Sequence, residues 1–199
     1  MIPNTVPASA FCSRTLRALV VGASAGGIEA VGTLLSALPR PLSVPVLVVL
    51  HVAKGSKTAW PLLFPRSTAP IFEAEDKEVA EPGSVHIAPP DYHLLVDTAG
   101  QLSLSVDERV NFARPSIDVL FESAALAYGT GLLGIVLTGA NSDGAQGLLA
   151  IHERGGLCWV QAPDTAAAKA MPRAAALAVP EARVLPLLEM AEALRAVLR

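Results

Sequence analysis

Short runs of uninterrupted apolar residues alternate with amphipathic helical segments along most of this chain, and this alternation limits the folds open to it. Residues 17–23, 44–50, 131–137 and 157–160 form such runs, and each leads into polar or glycine-containing residues and then a helical pattern. Strands that are apolar at every position are buried on both faces, which is typical of parallel strands joined by crossover helices. The pattern predicts an α/β fold: a doubly wound, mostly parallel sheet with helices on both faces.

The segments between these strands predict further elements. The first helix is predicted from apolar residues at the spacing of one helix face, namely Ile28, Val31, Leu34, Leu35 and Leu38. Residues 69–106 contain short β-type runs, and Asp97-Thr98-Ala99-Gly100 has the composition of a tight turn, so a β-hairpin insertion is predicted there. Residues 1–16 are predicted to be a mobile N-terminal segment, and residues 17–199 to be one folded domain.

Composition and charge exclude several classes of protein. Hydrophobic residues make up 52% of the 199 residues and charged residues 17%, which supports one buried core and excludes disorder over most of the chain. No apolar stretch reaches the ~18 residues of a membrane-spanning helix, so we expect no direct membrane insertion. The net charge is −3, from 15 Lys and Arg against 18 Asp and Glu, and no basic stripe is present. We therefore expect no nucleic-acid partner.

The N-terminus and the cysteines bear on location and on metals. The first 14 residues lack the basic head and the apolar core of a secretion signal, which predicts a cytoplasmic protein. Cys12 lies in the polar N-terminal segment and Cys158 in an apolar run, so the two do not form a disulfide framework or a zinc site. We interpret Cys158 as a core thiol, and we expect no metal ion and no organic cofactor.

The turn after the first strand carries a serine between glycines. Gly22, Ser24 and Gly26 fit the pattern Gly-x-Ser-x-Gly, in which the serine hydroxyl is exposed beside the first unpaired N–H groups of a helix. Such a turn also opens dinucleotide-binding folds, and a serine there is often only a helix cap. From this segment alone, a nucleophile, a phosphate-binding loop and a plain cap remain equally open.

Two further polar residues follow buried strands. His51 stands where a dinucleotide-binding fold would carry an acidic residue, and Asp143 lies in the polar loop after the run 131–137. Each has a plainer interpretation, as a structural histidine and as a helix N-cap. Because open α/β sheets place their sites beyond the carboxyl ends of the strands, we favour the hypothesis that Ser24, His51 and Asp143 form one site. They supply a nucleophile, a base and an acid.

Six motifs follow one another along nearly the whole chain, from about Leu19 to Ala176. They are Gly22-Ala23-Ser24-Ala25-Gly26-Gly27, Leu50-His51-Val52, Val85-His86-Ile87-Ala88-Pro89-Pro90-Asp91-Tyr92-His93, Arg114-Pro115-Ser116-Ile117-Asp118-Val119-Leu120-Phe121, Leu137-Thr138-Gly139 through Asp143-Gly144, and Met171-Pro172-Arg173-Ala174. Taken in order, these motifs resemble the catalytic domain of the chemotaxis protein-glutamate methylesterase family, CheB.

The resemblance implies a serine hydrolase with a Ser24, His51 and Asp143 triad. Backbone N–H groups after the serine and in the 139–141 loop are candidates for holding an oxyanion; the candidate residues are Ala25, Gly26, Ala140 and Asn141. Substrate-binding candidates are Arg114 and Ser116, for which helix capping is an equal alternative, and Met171. The sequence departs from the family at Ala25, where threonine is usual, and at Ala140, where methionine is usual.

The implied activity is demethylation of γ-glutamyl methyl esters on chemoreceptors or similar methylated proteins, and deamidation of receptor glutamines. The family usually carries an N-terminal phosphoacceptor receiver domain, whereas about 16 residues precede the first strand here. We therefore expect no phosphorylation control within the chain and a separate regulatory protein as a partner. The alternatives are a nucleotide- or NAD(P)-binding α/β protein and a catalytically weak CheB-like binding module.

Overall fold

The computed structural model describes residues 15–52 and 59–198. The N-terminal segment predicted to be mobile lies outside the described residues except for residues 15 and 16, as does Cys12. The described part contains nine strands: β1 (Ala18–Ala23), β2 (Val46–Leu50), β3 (Ile71–Glu73), β4 (Val85–Ile87), β5 (His93–Val96), β6 (Leu102–Ser105), β7 (Leu132–Val136), β8 (Leu157–Gln161) and β9 (Arg183–Leu185).

Seven of these strands form one parallel sheet in the order β3-β4-β2-β1-β7-β8-β9. The predicted doubly wound, mostly parallel α/β fold is confirmed. Strands β5 and β6 pair antiparallel as a separate hairpin, and their turn is closed by a hydrogen bond from the N–H of Gly100 to the carbonyl of Asp97. The predicted hairpin insertion and its turn are therefore also confirmed.

Helices cover both faces of the sheet. They are α1 (Gly27–Ala37), α2 (Trp60–Leu63), α3 (Ile117–Tyr128), α4 (Ala145–Glu153), α5 (Ala170–Ala178) and α6 (Leu187–Val197). Helices α1, α2 and α6 pack into one apolar core, and α3, α4, α5 and the hairpin pack into a second core across the sheet. Because side chains of β1, β2, β7 and β8 enter both cores in alternation, these strands are apolar at nearly every position.

The prediction for the first helix is wrong at one residue. The side chains of Val31, Leu34 and Leu35 are buried as expected, but that of Ile28 is 47% exposed. The sheet-facing position of this first turn belongs to Gly27, where a Cβ atom would come within 2.5 Å of Leu50 Cδ1. The helix therefore approaches β2 through a glycine, and Ile28 points away from the core.

The order of the central strands creates a crevice at the carboxyl edge of the sheet. The chain leaves β1 through α1 toward β2 on one side, and it leaves β7 through α4 toward β8 on the other side. Neighbouring strands whose connections run in opposite directions leave the space above their carboxyl ends open, which is where α/β proteins bind their ligands. Ser24 and the loop 137–144 follow β1 and β7 at this point.

Candidate active site

Ser24 is the first residue beyond β1, and the backbone fixes its position on both sides. Its N–H donates to the carbonyl of Thr138 at 2.9 Å, and its own carbonyl accepts from the N–H of Gly27 at 2.7 Å. The turn needs Gly26, whose φ is 76° and whose added Cβ would lie 2.6 Å from Ala167 Cβ. The serine side chain is half-buried, and it makes no hydrogen bond to another described residue.

His51 emerges beside Ser24 because β1 and β2 pair in register, with Ala23 opposite Leu50. The N–H of His51 donates to the carbonyl of Ala23 at 3.0 Å, which continues the strand ladder by one residue. In the side chain, Nε2 donates to Asp143 Oδ2 at 2.9 Å. This hydrogen bond leaves Nδ1 as the ring nitrogen that can accept a proton from the serine.

Ser24 and His51 line the same cavity at the carboxyl edge of the sheet. Its volume is about 360 Å³. The residues that line it are Ser24, Gly26, Gly27, Ile28, Glu29, Leu50, His51 and Val52. The exposed Ile28 thus forms part of a cavity wall. Hydrogen bonds between catalytic groups are often long without substrate and tighten when it binds, so the open serine–histidine contact is compatible with a nucleophile–base pair.

Asp143 is completely buried, and its carboxylate accepts hydrogen bonds from several donors. Besides His51, the donors are the hydroxyl of Ser116 at 2.8 Å, the N–H groups of Ile117 at 2.7 Å and Asp118 at 3.1 Å, and the amide of Asn111 at 3.4 Å. The two N–H groups belong to the first turn of α3, and α4 instead begins after Gly144. The plainer interpretation of Asp143 as a cap of its own helix is therefore wrong, because it caps α3.

These donors decide the charge of Asp143. Burial by itself raises the pKa of the carboxyl group, but the hydrogen bonds from His51, from the two N–H groups and from Ser116 together lower it below its ordinary value. The neighbouring Asp118 behaves in the opposite way, since burial raises its pKa to about 6 against the hydrogen bond from the N–H of Gly147. Asp143 is thus the member of this pair of carboxyl groups that ionises at the lower pH.

The three predicted substrate-binding candidates all contact residues of the loops around the site. Ser116 is fully buried and donates to Asp143, and Met171 is fully buried against Gly139, where a Cβ would lie 2.5 Å from Met171 Cε. Arg114 is mostly buried, and its guanidinium donates to Asp91 Oδ1 at 3.1 Å and to the carbonyl of Val106 at 2.6 Å. All three side chains support the loops around the site.

The predicted oxyanion candidates are exposed or half-buried at the edge of the site. No N–H group of Ala25, Gly26, Ala140 or Asn141 donates to a described backbone or side-chain group, whereas the N–H of Gly139 between them donates to the carbonyl of Ala168 at 3.1 Å. Free N–H groups at a helix start and in an adjacent loop are suited to bind a negatively charged oxygen.

Sequence reasoning missed a second group of residues that shapes the site. Thr138 accepts from the N–H of Ala168 and donates its hydroxyl to the carbonyl of Ala25 at 2.8 Å, while its N–H donates to Gln161 Oε1 at 2.9 Å. These bonds join the ends of β7 and β8 to the serine turn. The only sequence signal for these contacts is the presence of polar residues at the carboxyl ends of β1, β7 and β8.

Within residues 15–52 and 59–198, no three His, Cys, Asp or Glu side chains cluster as a metal site would require. In the same residues no helix has the length and apolar character needed to cross a membrane.

A doubly wound α/β fold that brings a serine and a histidine–aspartate pair to its switch point defines a class of hydrolase-like proteins. The sequence model of the CheB methylesterase family matches residues 19–194, and the chain belongs to this family. In Leptospira interrogans, a relative named "Putative protein-glutamate methylesterase/protein-glutamine glutaminase" is 49% identical over 176 residues, covering 88% of this chain and 91% of the relative.

Two further comparisons agree on the family. A protein-glutamate methylesterase/protein-glutamine glutaminase of Nocardioides sp. is 45% identical over 186 residues, which cover 87% of this chain and 48% of that protein, so the chain spans about half of its length. The crystal structure of the Thermotoga maritima CheB methylesterase catalytic domain superposes with a TM-score of 0.85 at 29% identity, covering 92% of this chain and 99% of that one.

Proposed function

We propose that this protein is a serine protein-glutamate methylesterase, with Ser24 as nucleophile, His51 as general base and Asp143 as the residue that orients the histidine. The observation that carries the proposal is the 2.9 Å hydrogen bond between His51 and the buried Asp143, beside a cavity that His51 shares with Ser24. Family membership supports the substrate class, since relatives are named protein-glutamate methylesterase/protein-glutamine glutaminase.

In the first half of the reaction, Ser24 Oγ bonds to the carbonyl carbon of a γ-glutamyl methyl ester while His51 Nδ1 takes the hydroxyl proton. The carbonyl oxygen becomes an oxyanion, which the free N–H groups of Ala25, Gly26 and the 140–141 segment stabilise. One such donor commonly contributes about 3 kcal/mol. The bond to the methoxy oxygen then breaks, His51 returns the proton to that oxygen, and methanol leaves.

In the second half, water hydrolyses the acyl-enzyme. His51 accepts a proton from the water as its oxygen attacks the same carbonyl carbon, and the bond from this carbon to Ser24 Oγ breaks. The proton returns to Ser24, and a glutamate side chain is released. Throughout, the ionised Asp143 keeps the proton on Nε2 and stabilises the imidazolium that forms twice in each turnover. No cofactor takes part in these steps.

The same groups support deamidation of glutamine, in which ammonia takes the place of methanol. Ammonia is the poorer leaving group, so the amide reaction is the slower of the two. The proposed protein partner is a chemoreceptor or a similar methylated protein in the cytoplasm. The hydrogen bond between His51 and the buried Asp143 supports a hydrolase over a nucleotide-binding protein, and measured turnover separates an active enzyme from a catalytically weak binding module.

Substitution of the nucleophile tests the proposal. We expect Ser24→Ala to lower methanol release from a methylated chemoreceptor by ~10⁴-fold or more, because triad residues act as a unit. The variant should keep the wild-type far-UV circular dichroism spectrum and lose labelling by a fluorophosphonate probe. Near-normal methanol release by this variant would rule out Ser24 as the nucleophile. Micromolar binding of NAD(P) by the wild type would favour the nucleotide-binding alternative instead.

A further inference from the structure

Phe112 is an exposed aromatic residue in an unfavourable backbone conformation. Its side chain is 97% exposed, its φ is 62°, and the preceding Asn111 has a φ of 50°. Left-handed backbone is disfavoured for any residue with a Cβ, and a bare phenyl ring gains nothing from burial within its own chain. Residues held in this way are concentrated at functional sites, where the surrounding structure fixes them.

The turn that carries Phe112 is fixed to the candidate active site. Val110 and Ala113 exchange backbone hydrogen bonds of 3.2 and 2.9 Å across it. The Asn111 amide points inward and donates to Asp118 at 2.7 Å and to Asp143 at 3.4 Å. Asn111 contacts Asp143, which is the hydrogen-bond partner of His51. Because consecutive Cα atoms are ~3.8 Å apart, the phenyl group of Phe112 begins only one residue away from this contact.

Two further apolar side chains are exposed in the turn and in the segment before it. Val110 in the turn is 37% exposed, and Val106 is 64% exposed. The guanidinium of Arg114 donates a hydrogen bond to the carbonyl of Val106 and so fixes this segment. A cavity of about 360 Å³ accommodates one side chain and not a folded polypeptide. A protein substrate must therefore lie across the rim of the cavity while its esterified side chain enters.

We propose that Phe112 is a docking residue for the protein substrate: an apolar side chain of the methylated polypeptide covers the phenyl ring while the esterified glutamate occupies the cavity. This inference rests on the proposed function and adds a specificity-determining contact to it. A rigid aromatic side chain loses little conformational entropy when it is covered, which is why such residues dominate many protein interfaces. The fixed turn sets the distance between this contact and Ser24.

The test compares a protein ester with a small ester. Methanol release from a methylated chemoreceptor fragment reports on docking, and hydrolysis of p-nitrophenyl acetate reports on the catalytic groups alone. We expect Phe112→Ala to lower the ratio of the two kcat/KM values about tenfold, through KM for the receptor fragment. Phe112→Leu should restore most of the ratio. Leu188→Ala, at a 72% exposed leucine of α6 on the opposite face of the sheet, is the matched control and should keep the wild-type ratio.

Two results would overturn the inference. An unaltered ratio in Phe112→Ala would show that the ring is not covered by substrate. An equal loss on both esters would show that the turn acts on the catalytic groups and not on docking. Failure of the proposed function gives a different result, because the wild type itself would then release no methanol from the receptor fragment.

Discussion

Asp143 shows how a single side chain links the fold to the candidate chemistry. Its carboxylate satisfies two N–H groups at the start of α3, which would otherwise be buried without an acceptor, and it holds the ring of His51 at 2.9 Å. The positive end of the α3 dipole and the converging donors keep the carboxylate ionised despite complete burial. The start of α3 therefore sets the electrostatics of a histidine that belongs to another element.

Ser116 is predicted to be a positioning residue that acts through Asp143. Its buried hydroxyl donates to Asp143 at 2.8 Å, and a hydrogen bond to a charged group contributes about 1.5 to 3 kcal/mol. We expect Ser116→Ala to lower kcat on p-nitrophenyl acetate roughly tenfold and to leave KM unaltered, because the side chain has no surface for substrate. Steady-state kinetics measure both constants.

A serine of the same helix serves as the control for this experiment. Ser123 donates to the carbonyl of Leu120 at 2.9 Å and accepts from the N–H of Val96, away from the candidate site. Ser123→Ala should lose a similar amount of stability, measured by urea unfolding, while it keeps kcat. If the two variants lose activity in proportion to stability alone, Ser116 has no positioning role.

The position of a residue could be predicted from the sequence alone where the residue directly follows a strand of the sheet. Ser24 and His51 are such residues, because register in a parallel sheet carries both to the same edge. The contacts of Asn111 and Ser116 with Asp143 could not be predicted, since they form only when the segment before α3 closes over the end of β7. That closure depends on tertiary packing, which the spacing of residues in the sequence does not indicate.

At the scale of the element, α3 contains a buried carboxyl group that opposes folding at neutral pH. Asp118 is 3% exposed, and burial raises its pKa from 3.8 to about 6, with Asp143 adding to the effect. Between these two values the folded state binds more protons than the unfolded state, so the contribution of Asp118 to stability falls as pH rises. The shift corresponds to about 3 kcal/mol.

Asp118→Asn should remove this pH dependence. The amide keeps an oxygen that can accept from the N–H of Gly147, as Asp118 does at 2.7 Å, without a charge to bury. We expect the stability of the variant relative to wild type to rise by about 2 kcal/mol between pH 4.5 and pH 7.5, because about 1 kcal/mol of the full effect has already developed at pH 4.5. Urea unfolding followed by circular dichroism at both pH values measures this difference.

The control for this pair of measurements is Glu192→Gln, which neutralises an exposed carboxylate of α6. Its stability relative to wild type should change by only a few tenths of a kcal/mol between the two pH values. A constant stability difference between Asp118→Asn and wild type at pH 4.5 and 7.5 would contradict a raised pKa for Asp118.

Elements were predictable where one local rule decides them. The continuous apolar runs marked β1, β2, β7 and β8, and the turn composition marked the hairpin. The rule fails at Ile28, which has helical spacing but faces a cavity, because Gly27 takes the position against β2. Helix periodicity predicts which residues share one apolar face of α1. Which side chain of its first turn points to the sheet depends on how closely the helix approaches β2, and the sequence pattern does not show this.

For the molecule as a whole, the low charge content follows from the layered architecture. Apolar cores lie on both faces of one seven-stranded sheet, so side chains on each face of the central strands are buried. Most charged residues then lie on the outer faces of helices, in edge strands and in loops, which accounts for a charged fraction of 17%. The two cores share the strands between them, and we expect them to unfold together.

Cys158 offers a probe of that joint unfolding. It lies in β8 under α4, it is 7% exposed, its thiol donates to the carbonyl of Leu148, and burial raises its pKa to about 12. In a Cys12→Ser variant at pH 8, we expect Ellman's reagent to label Cys158 negligibly in buffer and stoichiometrically in urea, because the thiolate forms only when β8 is exposed. The urea midpoint for labelling should coincide with the midpoint for circular dichroism. Complete labelling within minutes in buffer would mean that α4 separates from the sheet without global unfolding, and the two cores would then be independent.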